Sequence, residues 1–396
     1  MQYLLYGVFI LSGAAGLIYE SIWSRYLGLF VGHTAYAQII VLTIFLGGMS
    51  FGAWAVGKRS ERLTEPLIAY AWLELAIGAV GLVFHDVFVW ATSAAYDSIF
   101  PALAGSPVLL TMVKWAIAGA LILPQSVLLG TTFPLMSAGV MRLVRRDSGR
   151  VLAMLYFANS LGASAGVLVA GFVLVAMYGL PGTLLSAVAL NFVVFLVTFL
   201  GVRVHAMRAA KRGVDLALEA APLAATPPTY AMPFGTDALW RVMLIVTFGT
   251  AVASFIYEIS WIRMLSLVLG SATHSFELML SAFILGLALG SLWVHRRADR
   301  FSDPVRALGA VQWLMGACAM GTIPLYLWSF RWTQVLVTSL TTTDGAYMMF
   351  GIARYAFCLV VMLPATFFAG ITLPVITKLL LDSGCGPTSR RTRSRA

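Results

Sequence analysis

The sequence predicts an all-α polytopic membrane protein with about ten transmembrane helices in two parallel repeats, the second of them incomplete. Three observations lead to this prediction. The first is composition: 60% of the 396 residues are hydrophobic and only 11% are charged, whereas roughly 25% are charged in a typical soluble protein. The second is that the apolar residues form runs long enough to cross a bilayer. The third is that the second half of the chain repeats the first.

The spans follow from the length of the apolar runs. A hydrocarbon core of about 30 Å takes about 20 helical residues to cross. The sequence predicts ten spans, at 4–24, 35–57, 67–90, 108–138, 151–177, 180–202, 241–262, 273–294, 305–328 and 349–380. The fourth and tenth spans each contain two prolines, which interrupt the helical hydrogen bonds, so we expect tilted or kinked helices there. The first apolar run lacks the basic start of a signal peptide, and we expect it to be retained as a span.

Positive charge predicts the orientation. The loops GKRSER, MRLVRRDSGR, RVHAMRAAKR and VHRRADR, the tail RRTRSR and the adjoining Arg241, Arg306 and Lys378 hold 21 of the 26 Lys and Arg residues. All of them fall on one predicted side of the membrane. By the positive-inside rule, the N-terminus, the linker and the C-terminal tail are cytoplasmic, which predicts a multi-pass protein of a bacterial inner (plasma) membrane. The net charge of +10 is therefore an orientation signal, and we expect no nucleic-acid partner.

One proline- and alanine-rich segment divides the chain. The stretch APLAATPPTYAMP follows a basic run and cannot bury a core, so it is typical of a flexible linker. The predicted parts are a first membrane repeat of six helices at 1–203, a cytoplasmic linker at 204–239, a second repeat of four helices at 240–381 and a basic cytoplasmic tail at 382–396. Relative to the first repeat, the second lacks two spans.

The repeat is visible as an alignment of the chain with itself. At an offset of 238 residues, Tyr19, Glu20, Trp23, Arg25, Phe45, Gly48 and Gly52 align with Tyr257, Glu258, Trp261, Arg263, Phe283, Gly286 and Gly290. Around the fourth span the offset is 240, so that Lys114, Pro124, Gly130 and Pro134 align with Arg354, Pro364, Gly370 and Pro374. Six predicted spans separate equivalent points. Both copies are therefore expected to enter the membrane in the same direction, as in major-facilitator halves.

The repeat places charged residues inside apolar segments twice. A charge in hydrocarbon costs about 2.5 to 3.5 kcal/mol, so such residues normally face a partner or a wet cavity. The candidate substrate-binding residues are Tyr19, Glu20, Arg25, Lys114, Tyr257, Glu258, Arg263 and Arg354. Five residues separate Glu20 from Arg25, too far round one helix for a good pair. The repeat suggests Lys114 as the partner of Glu20 and Arg354 as the partner of Glu258.

Two interpretations of these charges remain open. In the functional one, Glu20 and Glu258 bind a cationic substrate or carry protons in a polar cavity between the halves. In the structural one, the charges are interhelical clamps, and Arg25 and Arg263 extend to the outer interface.

Two further acidic residues are weaker candidates from sequence. Glu74 and Glu277 have no acidic counterpart in the other copy, where Gln312 and Ile39 align with them. The patterns Gly48-x-x-x-Gly52 and Gly286-x-x-x-Gly290 favour close helix packing.

Catalytic and metal-binding motifs are absent from the sequence. There is no Walker loop, no H-E-x-x-H and no G-x-S-x-G, and the three cysteines have no C-x-x-C spacing. The segment DSGCGP follows a span rather than a strand, so it lacks the context of a dinucleotide loop. We expect neither a cofactor nor a metal.

Several segments together resemble a known family. The stretch SGAAGLIYESIWSRYLGLFVGHTAYA, the span FLGGMSFGAW, the segment GTTFPLM and the stretch LYFANSLGASAGVLVAGFVL resemble the membrane portion of fused major-facilitator/spermidine-synthase proteins. In that family a soluble Rossmann-like domain follows the spans and transfers an aminopropyl group from decarboxylated S-adenosylmethionine to putrescine. Its glycine-rich loop and diamine-binding acidic residues have no counterpart here, so no catalytic residue carries over. The final GCGPTSRRTRSRA is expected to be a truncated or frameshifted tail, or a natural short form.

The resemblance implies a membrane-embedded, transporter-like module of a spermidine-synthase-like protein. Its expected partners are the lipid bilayer, a polyamine or related small cation, and a soluble synthase domain. Two alternatives are a stand-alone secondary transporter and a membrane anchor for a separately encoded synthase.

Overall fold

The computed structural model describes residues 1–60, 62–144, 148–211, 236–269, 274–297, 303–339 and 344–382, which are almost entirely helical. Most of the predicted linker (212–235) and nearly all of the predicted tail (383–396) lie outside the described residues.

Eleven α-helices account for the described chain. They are α1 (Gln2–Val31), α2 (Thr34–Ser60), α3 (Pro66–Ala94), α4 (Phe100–Ala102), α5 (Pro107–Leu143), α6 (Ser148–Val169), α7 (Val175–Lys211), α8 (Thr236–Leu269), α9 (His274–Arg297), α10 (Pro304–Ser339) and α11 (Asp344–Asp382). A π-helical turn, Ala95–Ile99, joins α3 to α4, and a second, Ala170–Leu174, joins α6 to α7.

Nine helical stretches of the described chain are long and apolar enough to cross a membrane. The sequence predicted ten spans, and the difference lies in the fifth stretch. This stretch, Gly149–Lys211, is 63 residues long and covers both the fifth and the sixth predicted spans. The backbone leaves helical geometry inside it at Gly179, where φ is 65°. Glycine tolerates this left-handed conformation because it has no Cβ.

The helices distribute their residues as expected for a protein that is solvated by lipid. Large apolar side chains lie on the outside, among them Trp54, Trp90, Phe248, Trp313 and Trp328, which are each more than 70% exposed. Carboxylates, amides and hydroxyls are found among the buried residues. A helix satisfies its own backbone polar groups, which is the requirement for crossing hydrocarbon. The chain is therefore a membrane-embedded helical protein.

Two compact units make up the fold. The first contains α1 to α5, the end of α6 from Ala165, and α7. Its core lies around α1, where Tyr19, Trp23, Tyr26 and Phe30 are buried, and the last three contact aromatic rings outside α1.

The second unit contains α8 to α11 and the beginning of α6 up to Ser164. This part of α6 is held to α9 by polar contacts at both ends. The Ser164 and Ser281 hydroxyls are 2.9 Å apart. The Arg150 Nε–H donates to the His295 carbonyl at 3.2 Å, and the His295 Nδ1 is 2.8 Å from the Arg150 carbonyl oxygen. The helix is thus divided between the two units.

Glycines permit the closest helix contacts inside each unit. In the first, a Cβ at Gly130 of α5 would lie 2.1 Å from the Met49 carbonyl oxygen of α2. In the second, a Cβ at Gly370 of α11 would lie 2.3 Å from the Leu287 carbonyl oxygen of α9. Small residues let membrane helices approach closely enough for backbone packing.

The same contacts recur at the offset that aligns the two halves of the sequence. Gly52 of α2 meets the Val127 carbonyl, and its counterpart Gly290 of α9 meets the Phe367 carbonyl. Trp23 packs against Phe45 with ring centroids 6.0 Å apart, and the aligned Trp261 and Phe283 are 6.3 Å apart. These aligned residues therefore make matching contacts, each within its own unit.

The glycine contacts yield a first prediction. Gly130→Ala will place a methyl group against the α2 backbone, where no flexible side chain can move aside, and will destabilise the protein by about 1 to 3 kcal/mol. Gly119 lies on the same helix, and a methyl group added there would meet no atom of the described residues within 4 Å, so Gly119→Ala is the matched control. The stability of both variants is measured by thermal denaturation in detergent, with gel filtration used to quantify the protein that remains folded. Equal stability of the two variants would contradict this account of α2–α5 packing.

Candidate functional site

The sequence-predicted carboxylates are buried, one in each unit. Glu20 on α1 is 3% exposed and Glu258 on α8 is 7% exposed. Each follows a tyrosine that stacks on a tryptophan one turn later. The ring centroids are 5.8 Å apart for Tyr19 and Trp23 and 5.4 Å apart for Tyr257 and Trp261.

Glu258 is the more unusual of the two carboxylates. Within the described part of the chain, no hydrogen bond or ion pair engages its side chain. Burying a carboxylate without compensation is costly, so such a group normally takes a proton or binds a cation. Its position makes Glu258 a candidate cation or proton site.

The basic candidates on the fourth span of each repeat make aromatic and polar contacts. The Lys114 ammonium lies 5.3 Å from the centre of the Phe100 ring. Arg354 is buried, donates to the Ser275 hydroxyl and lies 5.4 Å from the centre of the Phe350 ring. Such cation–π contacts stabilise a desolvated cation.

The pairings that the repeat suggested, Lys114 with Glu20 and Arg354 with Glu258, stay predictions. The contact described for Lys114 is with the Phe100 ring, and those described for Arg354 are with Ser275 and Phe350. The other two basic candidates differ in exposure: Arg25 is half-buried and Arg263 is exposed. The exposure of Arg263 agrees with a side chain that extends to the interface. The assignment of the eight residues to substrate binding stays a prediction.

A polar cluster that the sequence ranked lower lies inside the first unit. Its centre is Glu74 on α3, which is 0% exposed. The Ser12 hydroxyl of α1 donates to Glu74 Oε1 at 2.6 Å, and the Asn191 amide of α7 donates to Glu74 Oε2 at 2.6 Å. The Tyr19 hydroxyl in turn donates to Asn191 Oδ1 at 2.7 Å. The cluster connects α1, α3 and α7 through one carboxylate.

Two glycines on α3 make room for this cluster. A Cβ at Gly81 would lie 2.7 Å from the Tyr19 hydroxyl oxygen and 3.0 Å from Gln125 Nε2, so any side chain there would displace them. A Cβ at Gly78 would lie 3.3 Å from the Asn191 Cβ. The Gln125 amide of α5 donates to the Ile77 carbonyl at 3.1 Å, while its Oε1 has no partner among the described residues.

The second unit has a neutral version of the same arrangement. Gln312 of α10 aligns with Glu74, and Thr250 of α8 aligns with Ser12. The Thr250 hydroxyl donates to Gln312 Oε1 at 3.1 Å, as Ser12 does to Glu74, and Gln312 Nε2 donates to the Thr372 hydroxyl at 2.9 Å. The hydroxyl donor to Oε1 is thus preserved, whereas the charge and the hydrogen bond of the second terminal atom differ.

Sequence reasoning ranked Glu74 low because it has no acidic counterpart. The signal that could have found the cluster was the alignment of Ser12 with Thr250 and of Glu74 with Gln312, which keeps a hydroxyl donor opposite an acceptor in both copies. Asn191 gave no such signal, because the alignment of the two copies does not extend to its helix.

These observations define the class of protein as a polytopic α-helical membrane protein with buried polar sites. No family model matches the chain. It is similar to polyamine aminopropyltransferase 2 of Streptomyces coelicolor, with 29% identity over 185 residues, which are 46% of this chain and 30% of that protein. The chain thus spans about a third of the length of the curated relative that it matches. The similarity supports a spermidine-synthase-like relationship.

A second prediction concerns the cluster. Asn191→Leu will remove the donor to Glu74 Oε2 and leave a buried carboxylate with one hydrogen bond fewer, at a cost of about 1.5 to 3 kcal/mol. Thr198, on the same helix, is also buried, but its hydroxyl has no partner among the described residues. Thr198→Val should therefore be close to neutral. Thermal denaturation of the two purified variants makes the comparison, and an unaffected Asn191→Leu protein would contradict the role given to the amide.

Proposed function

We propose that the chain is an integral membrane, transporter-like module of a spermidine-synthase-like protein that binds polyamines or related small cations. The observation that carries the proposal is the pair of buried carboxylates, Glu20 and Glu258, at equivalent positions of the two halves. A carboxylate in an apolar setting is a strong acceptor for an ammonium group, since charge-assisted hydrogen bonds are about twice as strong as neutral ones.

The aromatic pairs beside the carboxylates support a cationic ligand. Tyr19 and Trp23, and likewise Tyr257 and Trp261, are stacked rings that lie within a turn of each carboxylate. Ammonium groups are attracted to the faces of such rings, most strongly to tryptophan. A polyamine combines several ammonium groups with short methylene segments, which suits a site made of carboxylates and rings.

The finer architecture belongs to the same proposal. We place the ten predicted spans in two parallel, major-facilitator-like repeats, with the spans of Gly149–Lys211 divided at Gly179. The equivalent contacts of aligned residues support the repeat. The concentration of Lys and Arg in one set of loops supports a bacterial inner membrane location with a cytoplasmic N-terminus, linker and tail.

The relation to an enzyme is also proposed. The similarity to a polyamine aminopropyltransferase favours a module that passes a polyamine to or from a soluble synthase domain. The sequence analysed contains none of the family's catalytic residues. The chemistry proposed for it is therefore the binding and passage of a polyamine rather than aminopropyl transfer.

Binding of the cation is the third prediction. Glu20→Gln combined with Glu258→Gln will weaken spermidine and putrescine binding to the purified chain by roughly ten- to a hundredfold, because each change removes a charge-assisted acceptor. Isothermal titration calorimetry measures the affinity. Glu65 is an exposed carboxylate outside the spans, so Glu65→Gln is the control and should leave the affinity unchanged. Unchanged binding by the double variant would exclude the carboxylate site.

Two further measurements separate the alternative functions. Uptake of labelled spermidine into proteoliposomes, driven by a proton gradient, is expected of a secondary transporter. Copurification with a separately encoded synthase, without uptake, is expected of a membrane anchor.

A further inference from the structure

The Glu74 cluster is centred on a different carboxylate from the two proposed to bind cations, and it includes Tyr19, which precedes Glu20 on α1. Glu74 has no solvent exposure, and its hydrogen bonds come from neutral groups on α1 and α7. No basic side chain of the described residues contacts its carboxylate. The Glu74 carboxylate is therefore buried without a positively charged partner among the described residues.

The groups around Glu74 are neutral on every helix packed against it. The titratable side chains that face it are Tyr19 from α1 and Tyr70 from α3 itself. The α5 and α7 helices present the amides of Gln125 and Asn191, which do not titrate. A metal ion or an ammonium group would have to displace donors that already point at the carboxylate, so a bound cation fits the geometry poorly.

A proton fits the geometry without rearrangement of the helices. On protonation, one carboxyl oxygen becomes a donor, and the Ser12 hydroxyl can reverse from donor to acceptor because a hydroxyl does both. The Asn191 amide keeps its hydrogen bond to the other oxygen. Protonation adds one proton to the carboxylate. The Ser12–Glu74 hydrogen bond then re-forms with the carboxyl group as donor and the hydroxyl as acceptor.

The second unit provides an internal comparison. Gln312 holds the aligned position with a neutral side chain, and it accepts the aligned hydroxyl hydrogen bond from Thr250. An amide thus accepts the hydroxyl hydrogen bond as well as a carboxylate does, while its second terminal atom donates to Thr372 instead of accepting from an amide as Glu74 Oε2 does. What a carboxyl group adds to an amide of the same shape is the ability to gain and lose a proton.

We propose that Glu74 is a proton-binding site of the first unit, buried between α1, α3 and α7 and assembled from Ser12 and Asn191. The site goes beyond the cation binding proposed above and does not depend on it. Its ligand is a single proton, taken up by the carboxylate and released again, with Ser12 reversing its hydrogen bond.

Infrared difference spectroscopy of the full chain in lipid nanodiscs, without any polyamine, tests the proposal. Spectra of the wild type and of Glu74→Gln are recorded from acid to alkaline pH. We expect a protonated-carboxyl carbonyl band at acid pH that fades as the pH rises, and we expect Glu74→Gln to lose the component of this band that comes from Glu74 while components from other buried carboxyl groups remain. Glu65→Gln, which changes an exposed carboxylate, should keep the whole band. A band of unchanged intensity in Glu74→Gln overturns the proposal, as does a Glu74 component that does not change over this pH range.

A second variant keeps the test valid if Glu74→Gln does not fold. Ser12→Ala removes the hydroxyl next to Oε1, so the frequency of the Glu74 band should shift while its presence is retained. An unshifted band would show that the carbonyl belongs to another carboxyl group and would overturn the assignment. Because no polyamine is present, failure here is distinct from failure of the cation-binding prediction.

Discussion

The absence of water in the hydrocarbon core is the constraint on which the rest of this structure depends. It requires that the backbone hydrogen bonds be satisfied within each helix, and it reverses the usual arrangement of residues. Trp313 and Trp328 can therefore lie outside, whereas Glu74 and Asn191 lie inside. Polar groups in the hydrocarbon core cannot hydrogen-bond to water. Each buried polar group therefore either bonds to a neighbouring residue or is available to bind a ligand.

Glycine is the second determinant, because it decides how close two helices come. At Gly130 and Gly370 the backbones of neighbouring helices meet, and a methyl group would collide with a carbonyl oxygen. At Gly81 the space left by the missing side chain is taken by the Tyr19 hydroxyl and the Gln125 amide. The same kind of residue thus serves close packing at one place and a polar cluster at another.

Much of the fold could be predicted from the sequence, because apolar length and small-residue spacing are local signals. The spans follow from runs of about 20 apolar residues. The main difference, the joining of two predicted spans into Gly149–Lys211, arose because a break in helical geometry at one glycine does not require a loop. The division of α6 between two units could not be predicted, since it depends on the contacts of Ser164 and Arg150 with α9.

The candidate sites were predicted less completely. The burial of Glu20 and Glu258 follows from their place in apolar segments, but their neighbours depend on helix rotation, which the sequence does not specify. The Lys114 ammonium, for example, lies next to the Phe100 ring, a contact that the sequence does not indicate, and its suggested pairing with Glu20 stays a prediction.

The comparison of Glu74 with Gln312 shows what an internal repeat can reveal about a buried charge. Two copies of one arrangement with the same hydroxyl donor, one acidic and one neutral, separate the demands of packing from those of chemistry. Both side chains accept the hydroxyl donor through Oε1. The second terminal atom differs, because Glu74 Oε2 accepts from Asn191 whereas Gln312 Nε2 donates to Thr372. The first unit thus carries the group with the larger desolvation penalty on burial, and the chemistry which that group adds to the shared hydrogen bond is the uptake and release of a proton.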